Sequence, residues 1–249
     1  MAINVNTVYQ TVLLILNKEQ RGYITPTEFN KIGAQVQLEI FERYFDDLNQ
    51  QLRVPQTDTD YADRVKNIDE KIAIFKTFAN AVYATGANNL TYWVPPTIDG
   101  YGNSITFYRL GTVLYNNEIE VQRVDRQEFY HINKSLLTKP SKTFPIYLYE
   151  DNKLFVKPTT IVTDGDIQLD FIRKPLDPIW GFTIGNLGQY IYDSSDTGST
   201  ASVNFELHES EQTNLILQIL KYAGVIIKDP EIVQAASQQV AMNEQNEKI

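Results

Sequence analysis

Two periods of hydrophobic recurrence divide this chain. Near the start, Val5, Tyr9, Val12, Leu13 and Leu16 recur at helical spacing. They predict a first helix over about 4–20, with Gly22 just beyond as its stop. A second start follows at Thr25-Pro26-Thr27-Glu28. Thr25 supplies a capping hydroxyl, Pro26 suits the first helical position, and Glu28 reaches back to the cap. Phe29, Ile32, Val36, Ile40, Phe41, Tyr44, Phe45, Leu48 and Leu52 then form an apolar stripe to about Arg53, where Val54-Pro55 stops it. A third helix is expected from about Tyr61 into the low 80s, with Val65, Ile68, Ile72, Phe75 and Phe78 on its buried face.

From about 88 to 207 the period becomes two. Ile105/Phe107, Ile119/Val121, Leu154/Val156, Ile167/Leu169/Phe171 and Val203/Phe205/Leu207 alternate with polar neighbours, as half-buried antiparallel strands do. Asp151-Asn152 predicts a hairpin between 145–150 and 153–157. A short helix is expected over about 126–137, with Phe129, Ile132 and Leu136 on one face. Asp193–Thr200 is a polar loop, expected to be mobile or held by a partner. Helical spacing returns at about Glu209 with Leu215, Ile216, Ile219, Leu220, Ala223 and Ile227. Asp229-Pro230 then caps a last, weakly apolar helix whose large apolar groups are Ile232, Val233, Val240 and Met242. The expected architecture is α+β: a helical bundle formed by the N- and C-terminal helices, with an inserted antiparallel β-sheet region. The expected boundaries are 1–87, 88–207 and 208–249.

Composition narrows the chemistry. The 249 residues contain no cysteine, which excludes disulfides, iron–sulfur clusters and thiolate zinc sites. The two histidines, His131 and His208, are far apart in sequence and lack neighbours at metal-ligand spacing. No G-x-S-x-G occurs, and Gly185-Asn186-Leu187-Gly188 lacks the Lys-Ser/Thr of a phosphate loop, so it reads as a loop between strands. Asp46-Asp47, Asp69-Glu70 and Glu118/Glu120 read as solvated surface, although paired carboxylates are what glycoside hydrolysis requires. The expectation is no enzyme, no cofactor and no metal. No stretch reaches the roughly 18 apolar residues of a membrane span, and the first 20 residues lack the basic start and cleavage site of a signal peptide. A net charge of −9 gives no electrostatic reason to grip a phosphate backbone.

Tyrosine (15), phenylalanine (12) and tryptophan (2) are plentiful, and Tyr and Trp favour interfaces because they pair a large apolar body with a polar tip. Trp180, Tyr190 and Tyr192, with the basic pair Arg173-Lys174, are therefore candidate subunit-interface residues, against the plainer readings of sheet core and of a strand end closed by Pro175.

Three stretches resemble one family. They are Thr25-Pro26-Thr27-Glu28-Phe29-Asn30 with Gln37-Leu38-Glu39-Ile40-Phe41-Glu42; Phe144-Pro145-Ile146-Tyr147, Val156-Lys157-Pro158-Thr159 and Phe171-Ile172-Arg173-Lys174-Pro175 through Pro178-Ile179-Trp180; and Phe205-Glu206-Leu207-His208 with Lys228-Asp229-Pro230-Glu231-Ile232-Val233. The chain resembles the virion ring (adaptor, head-to-tail connector) proteins of crAss-like short-tailed bacteriophages. That resemblance implies a structural subunit of a ring below the portal, of 12-fold symmetry to match it, made in the host cytoplasm and carried in the virion tail. It also implies contacts with the portal and other tail proteins, passage of DNA without specific binding, and no membrane. The C-terminal segment is the implied portal contact: Asp229, Pro230, Ile232, Val233, Val240 and Met242. The rival expectation is a tail-borne module binding a host receptor or glycan through the 180–201 loops.

Overall fold

The computed structural model describes residues 2–18, 23–51, 64–194, 201–227 and 234–242. The protein is mixed α+β and divides into two compact units. One comprises Met1–Ile74 and Pro175–Ile249; the other is Phe75–Lys174.

The first unit is mainly helical. Helix α1 (Val5–Lys18) starts where the Asn4 side chain accepts the Thr7 N–H at 3.0 Å. Val5, Val8, Tyr9, Val12 and Leu16 are buried, which is the expected stripe shifted by one member. Helix α2 (Pro26–Gln51) opens with the expected capping box. The Thr25 N–H donates to Glu28 Oε2 at 2.9 Å, and the Glu28 N–H donates to Thr25 Oγ1 at 3.4 Å. At ~1.5 Å per residue, these 26 residues span about 39 Å. Helix α3 (Arg64–Ala73) and helix α5 (Gln212–Ile227) both pack on α2, and α1 packs on α5. Residues 234–242 are helical as well.

The second unit is built from two sheets. Strands β1 (Lys76–Asn80), β9 (Ile167–Arg173), β4 (Phe107–Tyr115) and β5 (Ile119–Glu120) form one, in the order β1-β9-β4-β5. Strands β2 (Val82–Thr85), β3 (Thr91–Val94), β8 (Lys153–Lys157), β7 (Ile146–Glu150) and β6 (Gln122–Arg123) form the other. Pairing is antiparallel throughout except for β6 with β7, which run parallel. One core holds the sheets together: Trp93, Tyr147, Leu154 and Val156 from the second meet Ala79, Val113, Ile167, Leu169 and Phe171 from the first. The β7–β8 hairpin turns at Asp151-Asn152 as expected, both with positive φ. Strand β7 is buried on both faces, because Ile146 and Leu148 pack on the opposite side with Val124 and with Phe129 of helix α4 (Arg126–Lys134).

Three expectations are corrected. The third helix does not run into the 80s; it ends at Ala73, and 76–85 form β1 and β2. Phe75 is buried and Phe78 is exposed, as period-two alternation requires and a shared helix face does not. Helix α4 stops at Lys134, so Leu136 leaves the face that carries Phe129 and lies in solvent. Residues 203–207 are not a strand of the sheets. They make isolated bridges, Val203 to Ile179 and Phe205 to Ile3, inside the helical unit. The unit boundaries consequently fall at 74/75 and 174/175, where the expected ones were 87/88 and 207/208.

Candidate functional site

Among the described residues of the helical unit, an aromatic hollow forms at the β10–β11 hairpin. Strands β10 (Phe182–Ile184) and β11 (Tyr190–Tyr192) pair antiparallel, Phe182 opposite Tyr192 and Ile184 opposite Tyr190. The turn between them uses Gly188 at φ +78°, and the Gly185 N–H donates to the Gln189 carbonyl at 2.9 Å. The stretch Gly185–Gly188 is thus the loop between strands that its sequence indicated.

Trp180 anchors the hollow from inside. It is 4% exposed, and its ring lies 4.4 Å from Tyr9, 5.5 Å from Tyr192 and 6.0 Å from Phe182 between centroids. Its polar groups are matched one by one. The indole Nε1–H donates to Asn6 at 3.0 Å, and the backbone N–H donates to Asn30 Oδ1 at 2.8 Å. The backbone carbonyl accepts from Asn30 Nδ2 at 3.3 Å. A buried indole needs such a partner, and Asn6 of α1 supplies it, while Asn30 of α2 holds the backbone.

The hollow itself, about 610 Å³, is lined by Tyr9, Leu13, Tyr23, Trp180, Tyr190 and Tyr192 with Asn6, Gln10, Gly188 and Gln189. None of these lining residues is charged. Burial, and after it a hydrogen bond with the Tyr23 phenol, pushes the Tyr9 phenol well above the ordinary tyrosine range, so it stays neutral. Tyr190 is 41% exposed and meets Phe182 edge-on at 5.0 Å. Leu14, Ile184, Leu187 and Ile191 are also exposed on this unit.

The five candidate interface residues do not form one set. Trp180, Tyr190 and Tyr192 come together in the helical unit, with Trp180 as core and Tyr190 as rim. Arg173 and Lys174 end the β unit. The Arg173 N–H donates to the Phe75 carbonyl at 2.9 Å, its guanidinium lies 5.9 Å from the Phe75 ring centre, and the Lys174 N–H donates to Thr106 at 2.8 Å. Of the implied portal contacts, Asp229, Pro230, Ile232 and Val233 lie outside the described residues. Val240 is buried and Met242 exposed. The polar stretch 195–200 is likewise outside them.

Among the described residues no group of three or more His, Cys, Asp or Glu is placed to hold a metal ion, and no helix is long and apolar enough to cross a membrane. His208 caps the short 3-10 turn Glu209–Glu211, accepting the Ser210 N–H. Glu118 and Glu120 are both exposed, Glu118 just after the Asn116-Asn117 turn and Glu120 ending β5. Sequence reasoning passed over Asn6, Asn30, Tyr23 and Gln189. Isolated polar residues on helix ends and loops carry no period, so nothing marked them. No family model matches this chain, and no curated protein matches it.

Proposed function

We propose that this protein is a structural, non-enzymatic subunit of a bacteriophage head-to-tail connector. In this reading copies of the chain form a ring, of twelve subunits if it matches a portal, beneath that portal in the virion. The helices of both chain ends form a bundle that serves as the ring wall, and the sheet unit is inserted between them in the sequence. The acidic surface repels the phosphates of passing DNA, so the genome moves through without sticking.

One observation carries the reading. A single chain exposes the aromatic hollow together with Leu14, Tyr23, Ile184, Leu187, Tyr190 and Ile191, an apolar surface of the kind that marks a protein contact. Electron microscopy and mass photometry of the purified chain, with and without portal protein, test it. Closed rings are expected, and a monomer that does not bind portal overturns it. A second reading, a tail-borne glycan- or receptor-binding module, is favoured by the uncharged mixture of phenols and amides lining the hollow. A glycan array separates the two: dose-dependent binding lost in Tyr190→Ala supports the module.

A further inference from the structure

A second apolar surface lies on the β unit. Helix α4 ends at Lys134, and the chain that follows holds Leu136 and Leu137 each 98% exposed and Phe144 79% exposed. Isolated exposed leucines are ordinary, but two adjacent ones with a phenylalanine nearby in one short loop are not. The loop is shaped, not slack. The Thr138 N–H donates to Ser135 Oγ at 3.3 Å. Ser141 and Phe144 exchange backbone hydrogen bonds at 3.4 and 3.2 Å, and the Phe144 N–H also reaches Ser141 Oγ at 3.3 Å. Pro140 and Pro145 are buried. The leucines are therefore presented to solvent by a built turn.

The charge of this segment opposes that of the molecule. Lys134, Lys139 and Lys142 are exposed on it, and no Asp or Glu occurs between Glu128 and Glu150, in a chain of net charge −9. An apolar knob rimmed by lysines fits an apolar recess on an acidic body. This chain supplies both: its overall charge is acidic, and its hollow of about 610 Å³ is uncharged and aromatic.

We infer that the 135–144 loop of one copy seats Leu136 and Leu137 in the Tyr9–Trp180–Tyr190 hollow of the next. Two dissimilar patches on one chain make a head-to-tail contact, which closes into a ring when the rotation permits and otherwise runs on as a filament. The inference rests on the connector reading and names the surfaces through which its subunits meet.

The test uses the full chain, alone and with portal, followed by sedimentation velocity. Wild-type assembly is measured first, since it reports on the connector reading by itself. The loop variant is Leu136→Asp with Leu137→Asp. The hollow variant is Gln189→Lys, at an exposed lining position whose side chain accepts only the Leu187 N–H of the turn, and circular dichroism checks that it folds as wild type does. Each variant alone is expected to assemble at least about tenfold more weakly than wild type. Mixed, the two are expected to form a defined 1:1 dimer that does not extend, because the loop variant keeps its hollow and the hollow variant keeps its loop. Variants that assemble like wild type, or a mixture that stays monomeric, overturn the inference and leave the connector reading standing. A wild-type chain that never assembles, with or without portal, overturns both. If the loop variant loses only its binding to phosphatidylglycerol-containing vesicles while assembly is unchanged, the loop serves a bilayer and the inference is wrong.

Discussion

The two units hold distant stretches of chain together by different means. In the β unit the ladders and one apolar core do it. Strands β4 and β9 are far apart in sequence, yet backbone groups pair along their length, and Val113, Leu169 and Phe171 add only apolar contact. The helical unit must join α1 and α2 to the returning segments 175–194 and 201–207, which among the described residues offer those helices almost no ladder. Side-chain amides take over. Gln37, buried in the middle of α2, donates from Nε2 to the Leu176 carbonyl at 2.7 Å and accepts the Glu206 N–H at Oε1 at 2.9 Å. Glu206 in turn accepts the Leu176 N–H at 2.8 Å. Asn204 accepts the Val5 N–H at 3.0 Å, and Asn30 brackets the backbone of Trp180. Where irregular chain lies against a helix, its backbone donors and acceptors still need partners, and one Asn or Gln amide can serve a donor and an acceptor at once.

That contrast can be broken from either side. The largest effect is expected in the β unit. Trp93 is buried at the centre of its core, edge-on to Tyr83 at 5.1 Å, and Trp93→Ala should cost ~3–5 kcal/mol, read as a lowered midpoint in denaturant. In the helical unit the sharper cut is polar. Gln37→Leu nearly keeps the volume but strands the Leu176 carbonyl and the Glu206 N–H, so a loss of ~2–3 kcal/mol is expected by chemical denaturation. If Gln37→Leu proves neutral, the amides are not what ties the segments. Next comes the α2 cap, where Thr25→Ala should cost ~1 kcal/mol.

The smallest effect is a pH dependence. Hydrogen bonds from the Thr25 hydroxyl, then from its backbone N–H, hold the Glu28 carboxyl below its ordinary value. Its contribution is therefore present above the unfolded glutamate range and lost as pH falls through the lower folded value. The stability gap between wild type and Glu28→Gln should narrow from pH 7 toward pH 3 in thermal melts.

Much of this architecture is legible in the residues. The Thr25–Glu28 box, the α2 stripe from Phe29 through Phe45, the Asp151-Asn152 hairpin and the alternation of β9 each rest on local rules, and each is present; Leu52 and the Val54-Pro55 stop lie outside the described residues. The failures have a common cause. Lys76–Thr85 follows a true helix and contains Phe78 and Val82 at a spacing that suits either period, so only pairing with β9 and β3 decides it. Val203–Leu207 alternates as a strand does, but buries Phe205 and Leu207 among helices. Leu136 fits the α4 stripe by spacing, yet the helix ends first. The hollow was half legible: Trp180, Tyr190 and Tyr192 stand out as aromatics, whereas their partners Tyr9, Asn6 and Asn30 are set by tertiary packing alone.

In the connector proposal this chain works as a repeated part of a larger body. The most direct measurement is the mass of the purified protein across a concentration series, alone and with portal protein, by native mass spectrometry. A closed assembly at an integer multiple of the 28.6 kDa chain is expected, formed alone or on the portal. A single 28.6 kDa species at every concentration, unmoved by portal, contradicts it.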